Sequence, residues 1–222
     1  MRFDIVTIFP DIFESYFSES LIKKAMDNDL IEINIHDLRE YSENKWGDVD
    51  GKPYGGGRGM VMKVEPIYKA VKNVRLKNKN SKVILFTPRG GDYTQKKATE
   101  YSKLDQLIMI CGRYEGVDER VRAHIVDEAV SIGDYVLIGG EIPAMAVVES
   151  VSRLVPGVVG IDNDGFLDER VRGEGMIEYP QYSRPEVFET DEGDKWKVPD
   201  VLLSGHHKNI KNWREDEGKI IK

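Results

Sequence analysis

The chain has 222 residues, 40% of them hydrophobic and 32% charged, with a formal net charge of −7. That composition excludes a disordered or collagen-like chain and suits one large domain, alone or with a small appendage. A single cysteine, Cys111, excludes an intrachain disulfide and fits a reducing cytoplasm, and no apolar run approaches the roughly 18 residues of a membrane helix.

In chain order, the first element is a strand, "FDIVTIF" at 3–9, with no basic region and apolar core of a secretion signal before it. A helix is predicted over 11–28 and a second strand, "LIEINIHDL", over 30–38. Next come a glycine cluster at 48–62, a helix at 65–74, the strand "KVILFTP" at 82–88 and a helix at 94–102. "QLIMICG" (106–112), "DEAVSIG" (127–133) and "DYVLIGG" (134–140) read as three more strands, with a helix at 117–125 after the first of them. The helix at 143–154 has the firmest ends: Pro143 in its first turn, where a missing N–H costs nothing, and Pro156-Gly157 as its stop. Strands alternating with helices predict an α/β domain with a mainly parallel sheet.

Composition then shifts. Residues 157–176 hold many charges and glycines without a period, which predicts a linker or lid. "YPQYSRPEVF" is held extended by its prolines, and a helix beginning near Ser204 places Ile210 and Trp213 on one face. The expected division is 1–156 as the α/β domain, 157–176 as the link and 177–222 as a small, mostly helical domain.

The chemistry is suggested by glycines. In open α/β sheets, ligands bind beyond the carboxyl ends of the strands. Here "TPRGG" (87–91), "CGRYEG" (111–116), "SIG" (131–133) and Gly139-Gly140 would crowd that edge. No phosphate loop and no dinucleotide fingerprint is present. A pocket of bare main chain and aliphatic side chains suits a neutral flat heterocycle such as adenine, with Ile132, Leu137 and Ile138 around it; tight turns are the competing explanation. The cluster "DVDGKPYGGGRGMVM" (48–62) adds Asp50, Lys52, Tyr54 and Arg58. A net negative charge does not exclude RNA, because Lys23-Lys24, residues 71–82 and Arg113, Arg120 and Arg122 offer local positive charge. Solvated faces explain the same residues. His206 and His207 are adjacent and diverge on a helix, so they do not chelate one metal; His36 and His124 read as structural.

Seven motifs in order, "FDIVTIFPDIF", "PYGGGRGMVM", "CGRYEGVDERV", "SIGDYVLIGGEIPAM", "RLVPGVVG", "YPQYSRPEV" and "LLSGHHKNIKNWR", cover nearly the whole chain. Together they resemble the bacterial tRNA (guanine-37-N1)-methyltransferases of the SPOUT class. The resemblance implies an α/β fold with a deep trefoil knot, an obligate homodimer with its active site at the subunit interface, and S-adenosylmethionine as methyl donor. It assigns the donor to Thr87, Pro88, Arg89 and Gly90, to Gly112, Tyr114, Glu115 and Gly116, and to Ile132, Gly133, Asp134, Tyr135, Val136 and Leu137. Gly139, Gly140 and Pro143 complete that set.

The implied substrate is tRNA carrying G36-G37, methylated on N1 of G37. That nitrogen carries a proton, so transfer needs a general base and a group to hold charge growing on O6. Arg153, heading "RLVPGV", matches the charge-stabilising arginine. Relatives place an Asp before Ser-Phe about ten residues ahead of "YP"; here that position is Arg170, and the region reads "DNDGFLDERVRGEG". Asp168 is the first candidate base, then Glu169, then Asp164. Contacts to the substrate are assigned to Asp50, Tyr54, Gly55, Gly57, Arg58 and Gly59, and to Glu178, Ser204 and His206. Mg2+ is an optional assistant, though no ligand cluster demands it. The competing readings are another SPOUT enzyme acting on ribose 2'-hydroxyls or rRNA, and a non-catalytic knotted RNA-binding protein.

Overall fold

The structure, a computed structural model, describes residues 1–77, 79–159, 176–177 and 179–220. The chain divides into two compact units, Met1–Asp164 and Gly165–Lys222.

The first unit is built on a five-stranded sheet in the order β2-β1-β6-β5-β7. Its strands are β1 (Arg2–Thr7), β2 (Glu32–Asp37), β5 (Ser81–Asp92), β6 (Gln106–Ile110) and β7 (Glu128–Ser131). Every neighbouring pair runs parallel. A parallel sheet must be covered on both faces, and its strands read as continuous apolar runs. Alternate residues of β1, β5 and β6 accordingly enter separate cores. Phe3, Ile5, Ile84, Phe86, Leu107 and Met109 face α1 (Glu14–Phe17), α2 (Ser20–Asp27), α4 (Gln95–Tyr101) and α6 (Glu141–Ser152). Val6, Val83, Leu85, Ile108 and Ile110 face α3 (Val64–Val74) and α5 (Glu119–His124). The short antiparallel pair β3 (Asp50–Gly51) and β4 (Val61–Met62) brackets the glycine cluster.

Three expectations need correction. The helix predicted over 11–28 is broken into a 3-10 turn (Pro10–Phe13), α1 and α2, with Ser20, the first residue of α2, at φ +58°. The strand predicted over 134–140 is a loop: β7 already closes that side of the sheet, Val136 and Ile138 stay exposed, and Gly140 bonds to another loop. Strand β5 outruns its predicted end. Phe86 and Gly91 both stand opposite Val130, so the four residues Thr87–Gly90 arch out before pairing resumes. Gly90 makes that arch possible, because a Cβ there would lie 2.5 Å from the Val130 carbonyl carbon.

A polar cluster crosses the sheet. Asp4 on β1 is fully buried, and its carboxylate accepts from Arg2 Nε at 2.8 Å and from Gln106 Nε2 at 2.6 Å. His36 Nε2 lies 2.8 Å away on β2. Gln106 also donates to the Val74 carbonyl at 2.8 Å, tying β6 to the end of α3.

The second unit contains β8 (Met176–Ile177) paired antiparallel with β11 (Lys219–Ile220), and the hairpin of β9 (Val187–Glu189) and β10 (Lys195–Lys197). Helices α7 (Asp200–Leu203) and α8 (His207–Glu217) follow the hairpin. Trp213 on α8 packs edge-on against Tyr179 at 6.2 Å and tilted against Tyr182 at 6.4 Å. The hairpin turns at Gly193, φ +90°, inside the stretch "TDEGDK", whose Asp and Gly are turn residues. Of the 157–176 segment, residues 160–175 lie outside the described residues.

Candidate functional site

A cavity of about 430 Å³ opens at the carboxyl edge of β5, β6 and β7. Four chain segments line it: the Thr87–Arg89 arch, the loop Gly112–Val117 after β6, the loop Ser131–Gly133 after β7, and Tyr135–Gly140 leading into α6. Its size falls within the range of small-molecule sites. Much of the wall is main chain, for a steric reason. The Gly140 N–H donates to the Gly112 carbonyl at 3.0 Å, and a Cβ on Gly140 would lie 2.6 Å from Cys111 Cα. A Cβ on Gly139 would strike Arg113 and Glu141, and one on Gly133 would strike the Tyr135 ring. Two loops distant in sequence thus meet with no room for a side chain between them.

The loop after β6 is under conformational constraint. Tyr114 takes φ +58°, a left-handed geometry that costs an ordinary residue on the order of 1–3 kcal/mol, and Gly116 takes φ +126°. The residues that follow Tyr114 are held by the segment after the glycine cluster: Glu115 N–H donates to the Met60 carbonyl, Met62 N–H to Gly116 and Asp118 N–H to Met62, all at 2.9–3.0 Å. The glycine cluster is therefore drawn to the cavity rim of its own chain. A Cβ on Gly59, at φ +76°, would lie 2.5 Å from the Glu115 carboxylate.

Arg89, Arg113, Glu119 and Arg122 at the cavity are each in an ion pair. Glu119 meets Arg89 Nη2 at 3.1 Å and also Arg122, and the Arg122 hydrogen bond, opposed by slight desolvation, holds its carboxyl below the ordinary value. Deeper lies Glu141, 1% exposed at the first turn of α6. It accepts from Thr7 Oγ1 at 2.8 Å and from Arg113 Nε at 2.9 Å, while Arg113 lies 4.7 Å above the Phe9 ring. Cys111 beside it is fully buried, and desolvation with the Glu141 charge pushes its thiol well up, which makes it a poor nucleophile.

Of the residues assigned to the donor, Thr87, Pro88, Gly112, Tyr114, Glu115 and Gly116 line the cavity. So do Ile132, Gly133, Tyr135, Val136, Leu137, Gly139, Gly140 and Pro143. Asp134 is exposed and is not among the lining residues. Arg153 is exposed at the carboxyl cap of α6. Asp50 sits in β3, Tyr54 is 100% exposed, and Gly55, Gly57 and Gly59 have positive φ on either side of the exposed Arg58. Ser204 caps α7 and accepts from the His206 N–H at 3.2 Å, and His206 in turn is the N-cap of α8. Asp164, Asp168, Glu169 and Glu178 lie outside the described residues. Among the described residues, no group of three His, Cys, Asp or Glu side chains is placed to hold a metal ion, and no helix is long and apolar enough to cross a membrane.

Thr7 and Glu141 are not among the residues that the sequence singles out, and Arg113 stands out there only as local positive charge. The signal available for Glu141 was an acid directly after Gly-Gly at a helix start, which also has an ordinary explanation in the helix dipole.

An all-parallel sheet with a main-chain-lined cavity at its carboxyl edge defines an α/β domain whose cavity has the size of a small-molecule site. The model of the family described as "tRNA (Guanine-1)-methyltransferase TrmD" matches residues 1–220, and the chain belongs to that family. Curated relatives bear the name tRNA (guanine-N(1)-)-methyltransferase. The one from Dictyoglomus turgidum is 54% identical over 217 residues, covering 98% of this chain and 84% of the relative. That of Citrifermentans bemidjiense is 51% identical with the same coverage, and that of Geobacillus kaustophilus is 48% identical over 98% of this chain and 86% of the relative.

Proposed function

We propose that this protein transfers a methyl group from S-adenosylmethionine to N1 of guanosine 37 in tRNA. The observation that carries this reading is the cavity itself, in a chain that matches the methyltransferase family over residues 1–220. Its residues fit the donor. A flat adenine finds main-chain donors and acceptors in loops where Gly139 and Gly140 exclude side chains, with Ile132, Leu137 and Ile138 as apolar cover. Glu115 supplies negative charge near the donor's cationic end.

When bound, the donor offers an electrophilic methyl on a sulfonium and departs as a neutral thioether. The rest falls to the protein. A carboxylate, Asp168 first and then Glu169 or Asp164, takes the N1 proton. Arg153 compensates the charge that grows on O6 as that proton leaves. Glu178 is a further carboxylate at the site. Tyr54 and the Gly55–Gly59 loop position the guanosine, with Asp50; Arg58, Ser204 and His206 contact RNA. The segment at 157–176 acts as a lid that excludes water once both substrates are in place.

The reading includes a trefoil-knotted α/β domain, a homodimer whose active site lies at the subunit interface, and work in the cytoplasm. Exposed Ile12, Tyr16 and Ile142 support the dimer, since α6 and the Pro10–Phe13 turn are neighbours and Tyr16 donates to Glu149 of α6 at 2.8 Å. Mg2+ is an optional assistant, tested by chelation.

The test is methyl transfer to tRNA transcripts carrying G37 or A37, each preceded by G36, with the modified nucleoside identified. N1-methylguanosine from the G37 transcript alone is expected. A 2'-O-methyl product, or donor binding without turnover, overturns the reading. Replacing Arg153 with Ala should lower kcat on the order of 100-fold or more while changing donor affinity little; equal losses in both would assign Arg153 a structural role. Among Asp168→Ala, Glu169→Ala and Asp164→Ala, one variant is expected to lose activity, Asp168→Ala before the others. Full rates in all three would remove the base from this segment.

A further inference from the structure

We infer that Glu141 is a positioning residue whose buried carboxylate sets the separation of the two cavity walls. The inference rests on the methyl-donor reading and extends it to a residue that touches no substrate. Glu141 begins α6, so its main chain continues directly from Gly139-Gly140 on one wall. Its side chain reaches the opposite wall through Arg113 Nε at 2.9 Å, in the loop that follows β6. It reaches the sheet through Thr7 Oγ1 at 2.8 Å, at the last residue of β1. One carboxylate therefore joins three segments that are far apart in sequence and meet beside the cavity.

The economics of burial make this arrangement specific. Burying a carboxylate that is 1% exposed is costly unless it is paired and hydrogen-bonded, and here both of its partners are fixed by other structure. Thr7 Oγ1 also accepts from the Phe9 N–H at 3.0 Å, so its orientation is set before Glu141 arrives. The Arg113 main-chain N–H is held by Met62 Sδ at 3.1 Å, and its guanidinium lies over Phe9. The Gly140 to Gly112 hydrogen bond joins the two loops at one point, about which they could still pivot. A charge-assisted hydrogen bond of defined direction opposes that. Gly139 fits the same picture, because any side chain there would occupy the space in which Arg113 and Glu141 meet.

The test measures S-adenosylhomocysteine binding by calorimetry together with unliganded melting, for wild type, Glu141→Gln, Thr7→Val and the double variant. Glu141→Gln keeps the shape and one acceptor but loses the charge; Thr7→Val keeps volume and removes one donor. Affinity should fall about ten-fold in Glu141→Gln and by less in Thr7→Val. The double variant should be no weaker than the product of a shared bond allows, that is, close to Glu141→Gln alone. The KM for the donor should rise by more than kcat falls. Absence of heat with wild type would remove the donor reading, and this inference with it. Heat with wild type and unchanged affinity in Glu141→Gln would overturn the inference alone, as would a lowered melting point with intact affinity in the folded variant. If Glu141→Gln does not fold, Thr7→Val decides: unchanged affinity overturns the inference.

Discussion

Gly140→Ala is expected to weaken S-adenosylhomocysteine binding on the order of 100-fold, the scale of effect that a displacement of about 1 Å produces at a preorganised site. The new methyl would lie 2.6 Å from Cys111 Cα and 3.0 Å from Gly112 N, both main-chain atoms that cannot rotate away. Relief requires the two loops to part. That breaks the Gly140 to Gly112 hydrogen bond, now 3.0 Å, which joins the walls of the cavity. Overpacking of this kind also costs about 1–3 kcal/mol of stability. Gly56→Ala is the control: its φ is +80°, but nothing lies within 4 Å of the added carbon. It should leave donor affinity within about two-fold and cost only the roughly 1–2 kcal/mol of a left-handed alanine. Calorimetry on both variants, with melting curves, separates the two. Retention of affinity in Gly140→Ala would mean that the loops do not need this close approach.

Asp4→Ala is expected to destabilise the first unit by about 3–5 kcal/mol, because it removes one member of a buried charged cluster and strands the others. Arg2, His36 and Gln106 all converge on this carboxylate, which has no exposure of its own. At about 2–4 °C per kcal/mol, melting should drop by roughly 10 °C. The effect should depend on pH. Burial alone would push the Asp4 carboxyl up, but His36, Arg2 and Gln106 outweigh it and hold it below its ordinary value of 3.8. A carboxyl depressed on folding stabilises fully above its unfolded value and loses that contribution as pH falls through the folded one. Wild type and Asp4→Ala should therefore differ most above about pH 4 and converge in stronger acid. Chemical denaturation across that range measures this. A difference independent of pH would show that Asp4 acts by shape and not by charge.

The parallel sheet was legible because of a physical coincidence of burial. Ile5-Val6, Val83–Phe86 and Leu107–Ile110 are apolar at successive positions, as strands covered on both faces require. The helix ending at Ser152 was legible for a similar reason, since its proline and the later Pro156-Gly157 act locally. "DYVLIGG" misled because a short apolar run carries the same pattern whether or not a partner strand waits beside it. The β9–β10 hairpin was overlooked because Val187–Glu189 and Lys195–Lys197 are too short for a period to show.

At the site, the glycine-bearing loops could be grouped from the chain alone, and so could their place at the carboxyl edge. Local residue chemistry is enough for that: a residue without Cβ advertises main-chain approach, and an α/β pattern places strand ends together. Which glycine meets which backbone could not be read, since Gly140 and Cys111, or Gly90 and Val130, are brought together by strand order. The same holds for the partners of Glu141. Its neighbours in sequence are Gly140 and Ile142, while its hydrogen bonds go to Thr7 and Arg113. A sequence records what each residue is able to do; long-range packing, which sets the cost of burying a charge, selects which of those capacities is used.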